Sequence, residues 1–184
     1  MLAYPILKRA RYDEGMRSVI LALLGSGLLV AAEGAKSEVV GKQLTLTASA
    51  SNATVAPRER IVLVLEVDLK PGMHVYAPGV EGYIPIDWKM KESASATPAA
   101  AQYPRSKKLY LKAIDETVPA YREHFRITRE ITIAQEDQLK LTLDGSGHFT
   151  VEGSLRYQAC DDRVCYIPQE LPLKWTFQYK ASGQ

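Results

Sequence analysis

The stretch Phe149-Thr150-Val151-Glu152-Gly153-Ser154-Leu155-Arg156-Tyr157 alternates along its whole length. Phe149, Val151, Gly153, Leu155 and Tyr157 share one parity; Thr150, Glu152, Ser154 and Arg156 share the other. An extended chain sends successive side chains to opposite faces, so this pattern predicts a strand with one face buried. Two more runs read the same way. In Ile61–Leu69 the odd positions are apolar while Glu66 and Asp68 take the other parity, and in Leu171–Tyr179 the set Leu171, Leu173, Trp175, Phe177 and Tyr179 alternates with Pro172, Lys174, Thr176 and Gln178. Gln43–Ala48, His74–Tyr76, Ile86–Met90, Phe125–Ile133 and Leu139–Leu143 are weaker strand candidates. Arg129 sits on the apolar parity of its run, which predicts a bulge or an edge position there. Lys70-Pro71-Gly72, Ala77-Pro78-Gly79 and Asp144-Gly145-Ser146-Gly147 are turn signals that separate the runs. Sustained helical periodicity is lacking. About seven to nine short strands, each with one apolar face, predict an all-β, immunoglobulin-like β-sandwich. Ser93–Ala101 (SASATPAAA) is low in complexity and is expected to be a mobile surface loop, with Ser49–Pro57 a similar connector. No internal repeat or second domain is visible.

The chain of 184 residues is 46% hydrophobic and 24% charged, with 12 Gly and 10 Pro. Those values exclude collagen-like, wholly disordered and multispanning classes. Lys8, Arg9, Arg11 and Arg17 precede an uncharged run from Ser18 to Ala32, SVILALLGSGLLVAA. A basic segment, a short apolar segment and small residues at its end describe a secretory signal peptide. Cleavage is expected after Ala32, dividing the chain into a signal peptide, residues 1–32, and one domain, residues 33–184. From Met16 on, MRSVILALL already reads as a compact signal. The apolar run is shorter than the roughly 20 residues a membrane span needs and contains Gly25 and Gly27, so no stable anchor is expected after cleavage. The positive excess belongs to the targeting segment, and the mature chain has as many basic as acidic residues. It carries no electrostatic footprint for nucleic acid.

The two cysteines, Cys160 and Cys165, enclose Asp161-Asp162-Arg163-Val164. Cys160 is read as the end of the strong strand, and a four-residue connection is a normal hairpin length. The thiols should therefore face one another, and export would permit a disulfide. Three readings stand at this point. The pair is a structural staple, although so short a loop contributes only about 2 kcal/mol in the chain-entropy picture. It is a redox-active pair, since an exposed small ring belongs with exchanging bridges, and Arg163 favours a thiolate while Asp161 and Asp162 oppose it. Or it is a metal site, for which the spacing is poor: His74, His124 and His148 are scattered, and copper(I) would need Met73, His74 and Met90 to converge.

Tyr157-Gln158-Ala159-Cys160, a polar turn, then Cys165-Tyr166-Ile167-Pro168 resembles the cysteine hairpin of the DsbD N-terminal domain family, the periplasmic domain of a thiol:disulfide interchange protein. Lys70-Pro71-Gly72-Met73-His74-Val75-Tyr76 is similar to that family's strand beside the cysteines, and the likeness runs from about Leu44 to Tyr179. The resemblance implies an immunoglobulin-like domain with a reversible Cys160–Cys165 disulfide and no cofactor or metal beyond the two sulfurs. It implies a periplasmic electron relay whose partners are a membrane-embedded thiol reductase and periplasmic thioredoxin-fold oxidoreductases. By motif position Cys165 is the exchanging cysteine and Cys160 the resolving one. Tyr76 would line a pocket beside them together with Tyr157 and Tyr166, and His74 stands where DsbD carries a tyrosine.

Physical reasoning agrees on the roles. A sheet should hold Cys160, whereas Cys165 lies near Pro168, which cannot donate to a ladder and suits an edge. Three departures accompany the likeness. Four residues separate the cysteines where DsbD has five. The stretch matching the family's shielding loop, about Asp115–Tyr121, has Val118 and Pro119 in place of its aromatic, so any shield would come from Tyr121. DsbD continues into a transmembrane and a thioredoxin-like domain whereas this chain stops at Gln184, so the resemblance implies a stand-alone protein with a separate reductant. The competing expectation is a non-catalytic exported sandwich that binds or scaffolds, with a structural disulfide.

Overall fold

The computed structural model describes residues 36–112 and 114–181; the expected signal peptide lies outside them. The strands, in chain order, are β1 (Ser37–Val40), β2 (Leu44–Ala50), β3 (Thr54–Val55), β4 (Arg60–Leu69), β5 (His74–Tyr76), β6 (Asp87–Met90) and β7 (Ala96–Pro98). They continue with β8 (Lys107–Leu111), β9 (Glu116–Arg122), β10 (His124–Ile133), β11 (His148–Tyr157), β12 (Ala159–Cys160) and β13 (Gln169–Tyr179). One short helix, α1 (Glu136–Lys140), follows β10.

The predicted alternation is what builds the sandwich. In β4 the apolar odd positions from Ile61 to Leu69 are all buried, and β11 buries Phe149, Val151, Gly153, Leu155 and Tyr157. β4 is the centre of a five-stranded sheet in the order β1-β2-β4-β10-β7, and β11 pairs with β13 in a four-stranded sheet, β3-β13-β11-β6. Their apolar faces meet in one core, where Leu46, Leu65 and Ile127 from the first sheet join Val151, Trp175 and Phe177 from the second. This is the all-β, immunoglobulin-like sandwich expected from the pattern. Gly153 interrupts the large side chains of β11 because β6 passes close by: a Cβ there would lie 2.5 Å from the Lys89 carbonyl oxygen.

Several expectations are corrected. The described residues contain thirteen strands, more than the seven to nine expected, because a third sheet, β12-β5-β9-β8, is present. The long strand ends at Tyr157 and does not reach Cys160; the chain leaves β11 at Gln158, and β12 joins the third sheet by pairing with β5. Part of the expected Ser93–Ala101 loop is the edge strand β7, with Ser95 and Ala96 buried. Within Ser49–Pro57, β3 runs parallel to β13.

Leu139–Leu143 is not a strand. Leu139 is fully buried while Leu141 is 88% exposed, which no single strand face allows. Glu136 and Asp137 in the first turn of α1 and Lys140 in its last match the charges of helix ends.

The irregularity expected at Arg129 lies on one side of β10 only. Toward β4 the register runs unbroken from His124↔Asp68 to Thr132↔Arg60, whereas β7 pairs only with Ile131–Ile133 and the next bridge, Gln102↔Thr128, leaves one extra residue in the segment opposite Arg129. The guanidinium is tolerated on the inner face because its Nη2 donates to the Trp88 carbonyl at 2.7 Å and the group lies 5.1 Å from the centroid of the Trp88 ring.

Candidate functional site

The third sheet has two working faces. Val75, Tyr121 and Ala159 point into the sandwich core. The opposite parity, His74 and Tyr76 from β5 and Cys160 from β12, points into a cleft of about 480 Å³, with Val118 from β9 packed in the same small cluster as Tyr76 and Cys160. Antiparallel register sets a row across three strands: Cys160 lies opposite His74, and His74 opposite Arg122.

The cysteines close a disulfide, with their Cα atoms 4.0 Å apart. The hairpin is held by Tyr166 N–H donating to the Ala159 carbonyl at 2.9 Å and Asp161 N–H to Val164 at 3.0 Å. Asp161 organises the turn. Its carboxylate accepts from the backbone N–H groups of Arg163 and Val164 at 2.7 and 2.8 Å and from the Tyr166 hydroxyl at 2.8 Å, and these bonds, Val164 first, hold it below the usual carboxylate range. Asp162 is drawn to Arg122, 3.4 Å away. Both acids beside the cysteines are thus engaged by other groups.

The two sulfurs are not equivalent. Cys160 is 1% exposed, whereas Cys165 is exposed at the rim. The Tyr76 hydroxyl stands 3.7 Å from the Cys165 sulfur and, with no proton on a disulfide sulfur, is the donor. Burial raises the Tyr76 phenol pKa, with Glu116 adding to the effect. His74 is fully buried with neither ring nitrogen hydrogen-bonded, and its ring meets Tyr76 edge-on at 5.5 Å. Burial first, then the Arg122 charge, lowers its pKa, while Asp162 and Asp161 oppose the shift.

The structure brings together Cys160, Cys165, His74 and Tyr76 of the predicted site. It does not bring Tyr157 or Tyr166 into the cleft. Tyr157 ends β11 on the sandwich side, its hydroxyl so close to Gly41 that a Cβ there would be 2.6 Å away. Tyr166 faces Asp161 and holds the turn from outside the cleft. The copper trio is split, since Met90 lies on β6 in a different sheet from His74.

Nor is Asp115–Tyr121 a shielding loop: most of it is β9, and Tyr121 stacks on Phe125 at 4.6 Å with its hydroxyl bound to Pro104. The aromatic that covers Tyr76 is one the sequence did not announce. Tyr83, from the loop after β5, lies 4.3 Å from the Tyr76 ring and donates to Glu116 at 2.6 Å.

That bond to Glu116 is the main reason the Tyr83 phenol is pushed up to about 12. A carboxylate acceptor favours the protonated donor and repels the phenolate. Glu116→Gln should therefore bring the Tyr83 titration down toward 10, read spectrophotometrically as the difference from Tyr83→Phe. An unmoved titration would show that Glu116 does not hold the ring.

The fold and site define a β-sandwich domain with a disulfide at the edge strand of a satellite sheet, one sulfur buried and the other exposed. A family model described as thiol:disulfide interchange protein DsbD, N-terminal, matches residues 42–174, and the chain belongs to that family of thiol–disulfide exchange domains. Among solved structures, the N-terminal periplasmic domain of ScsB from Proteus mirabilis is similar at a TM-score of 0.54 and 16% identity, over 79% of this chain and 51% of that one. The chain thus spans about half the length of that structure, and the likeness is one of fold. No curated protein sequence matches the chain. Among the described residues no helix is long and apolar enough to cross a membrane.

Proposed function

We propose that residues 33–184 act as a periplasmic electron relay, exported by a signal peptide at residues 1–32. The domain exchanges its Cys160–Cys165 disulfide with a membrane-embedded thiol reductase on one side and periplasmic thioredoxin-fold oxidoreductases on the other. The observation that carries this reading is the asymmetry of the pair: an exposed Cys165 joined to a buried Cys160 beside an open cleft. Exchange proceeds by in-line attack of a thiolate on an accessible sulfur, with the inner sulfur leaving. Cys165 offers the accessible sulfur, Cys160 the leaving one, and Tyr76 an O–H donor near the site of attack. Apart from the two sulfurs the chemistry needs no redox group.

The reduction potential is the test. A poise in the range of exchanging proteins, about −120 to −270 mV, supports the relay, and one below about −300 mV supports a structural bridge in a binding or scaffold module. A companion measurement follows from the topology. Cys160 lies on β12, outside both large sheets, and the bridge spans a sequence separation of 5. So small a ring contributes about 2 kcal/mol. Reduction should therefore leave the β circular-dichroism signature intact, and loss of that signature would make the bridge a staple.

A further inference from the structure

We infer that His74 is the general base of the exchange cycle, taking the Cys160 proton when the mixed disulfide is resolved. The inference rests on the exchange reading above and adds a residue to it. A fully buried imidazole with both nitrogens unpartnered is an anomaly, since a buried polar group without a hydrogen bond is destabilising. A purely structural role at this position would be served better by an apolar ring. The anomaly resolves in the other redox state. His74 is the cross-strand partner of Cys160, and directly opposed side chains on one sheet face lie about 5 Å apart at Cβ. In the disulfide, Cys160 has no proton to offer. Once reduced, its thiol is a donor next to an imidazole that has none.

The surroundings suit an acceptor. Arg122 faces His74 from β9, Tyr76 meets it from the same strand, and Asp161 and Asp162 face it from the cysteine turn. Arg122 is drawn toward Asp162; burial and the guanidinium favour the neutral imidazole, whose unprotonated nitrogen can accept, while Asp162 and Asp161 favour the imidazolium that proton transfer creates.

With Cys165 bonded to a partner sulfur, His74 takes the proton from the Cys160 thiol. The resulting thiolate attacks the Cys165 sulfur, the Cys160–Cys165 bond forms and the Cys165–partner bond breaks. The partner leaves as a thiolate and collects a proton from solvent, while the imidazolium returns its own to water. Over the two successive attacks, by Cys165 and then by Cys160, two electrons pass from the dithiol to the partner's disulfide. In the reverse direction the imidazolium protonates Cys160 as it leaves.

The test uses the reduced full domain mixed with dithiobisnitrobenzoate in a stopped-flow instrument. Attack by Cys165 releases a first equivalent of thionitrobenzoate; attack by Cys160 on the mixed disulfide releases a second, and that phase isolates the inferred step. In the wild type the second phase should level off with an inflection below the ordinary imidazole value of 6.5. In His74→Gln it should be about 100-fold slower at neutral pH and should keep rising about tenfold per pH unit until the Cys160 thiol itself ionises, with the first phase unchanged. His74→Phe should behave like His74→Gln; the glutamine variant, which keeps a polar side chain, reads the result if the phenylalanine variant does not fold. A second phase with the same rate and pH profile in wild type and His74→Gln would overturn the role of His74 and leave the exchange reading standing. A folded wild-type domain that shows no second phase would overturn the exchange reading itself.

Discussion

Cys160→Ser should accumulate a covalent complex with a thioredoxin-fold partner, and Cys165→Ser should accumulate none. The design needs a partner with a single active-site cysteine, activated as its thionitrobenzoate disulfide, so that the partner cannot undo the bond itself. In Cys160→Ser the remaining thiol stands at the rim of the cleft, where a protein-sized disulfide can approach in line. Attack expels thionitrobenzoate and leaves Cys165 bonded to the partner with no second thiol to resolve it. In Cys165→Ser the remaining thiol is 1% exposed and paired within the third sheet, so the same disulfide cannot reach it. Access governs exchange alongside thiolate fraction, and here it separates the two cysteines almost completely. Non-reducing electrophoresis reads the outcome. Capture by Cys165→Ser and not by Cys160→Ser would reverse the roles.

The second large effect is on stability. Trp88→Ala should cost about 3–5 kcal/mol, the range for emptying a large aromatic site in a core. Trp88 is 1% exposed, stacks on Trp175 at 5.7 Å, and offers its ring face and its carbonyl to Arg129. Removing the ring leaves a cavity between the two large sheets and strips the cation–π contact from a partly buried guanidinium. The cost should therefore fall in the upper half of the range and lower the melting temperature by on the order of 10 °C. Trp88→Phe, which keeps a ring, should lose far less. Trp88 belongs to the main core and not to the small cluster around Cys160, so the reduction potential of the folded Trp88→Ala protein should match the wild type. A loss below about 1 kcal/mol would refute the packing role.

The long strands were legible because each has one dry face and one wet face over many residues, as in Ile61–Leu69, Phe149–Tyr157 and Leu171–Tyr179. Of the third sheet only β5 was read as a strand, and weakly, for the same physical reason. β5 and β12 are buried on both faces, one against the core and the other against the cleft, so their residues read His74-Val75-Tyr76 and Ala159-Cys160 with no polar alternation. β9 carries Pro119, a residue that argues against a strand until its place in a small peripheral sheet is known. The cysteine frame was legible through resemblance. Its partner across the sheet, His74, came the same way, because register over more than eighty residues leaves no local mark. Tyr157 was misplaced since its position in the motif says nothing of which sheet it joins, and Tyr83 was missed because a tyrosine in a glycine-bearing loop has no signature. Arg129 broke the pattern for a tertiary reason, the Trp88 ring and carbonyl, that no local reading contains.

The third sheet is a shared wall, and the parity of its strands keeps the two sides separate. A substitution at Val75, Tyr121 or Ala159 is felt by the sandwich, whereas one at His74, Tyr76 or Val118 is felt by the cysteines. Selection, or a protein engineer, can therefore retune the chemistry along every second residue without renegotiating the scaffold.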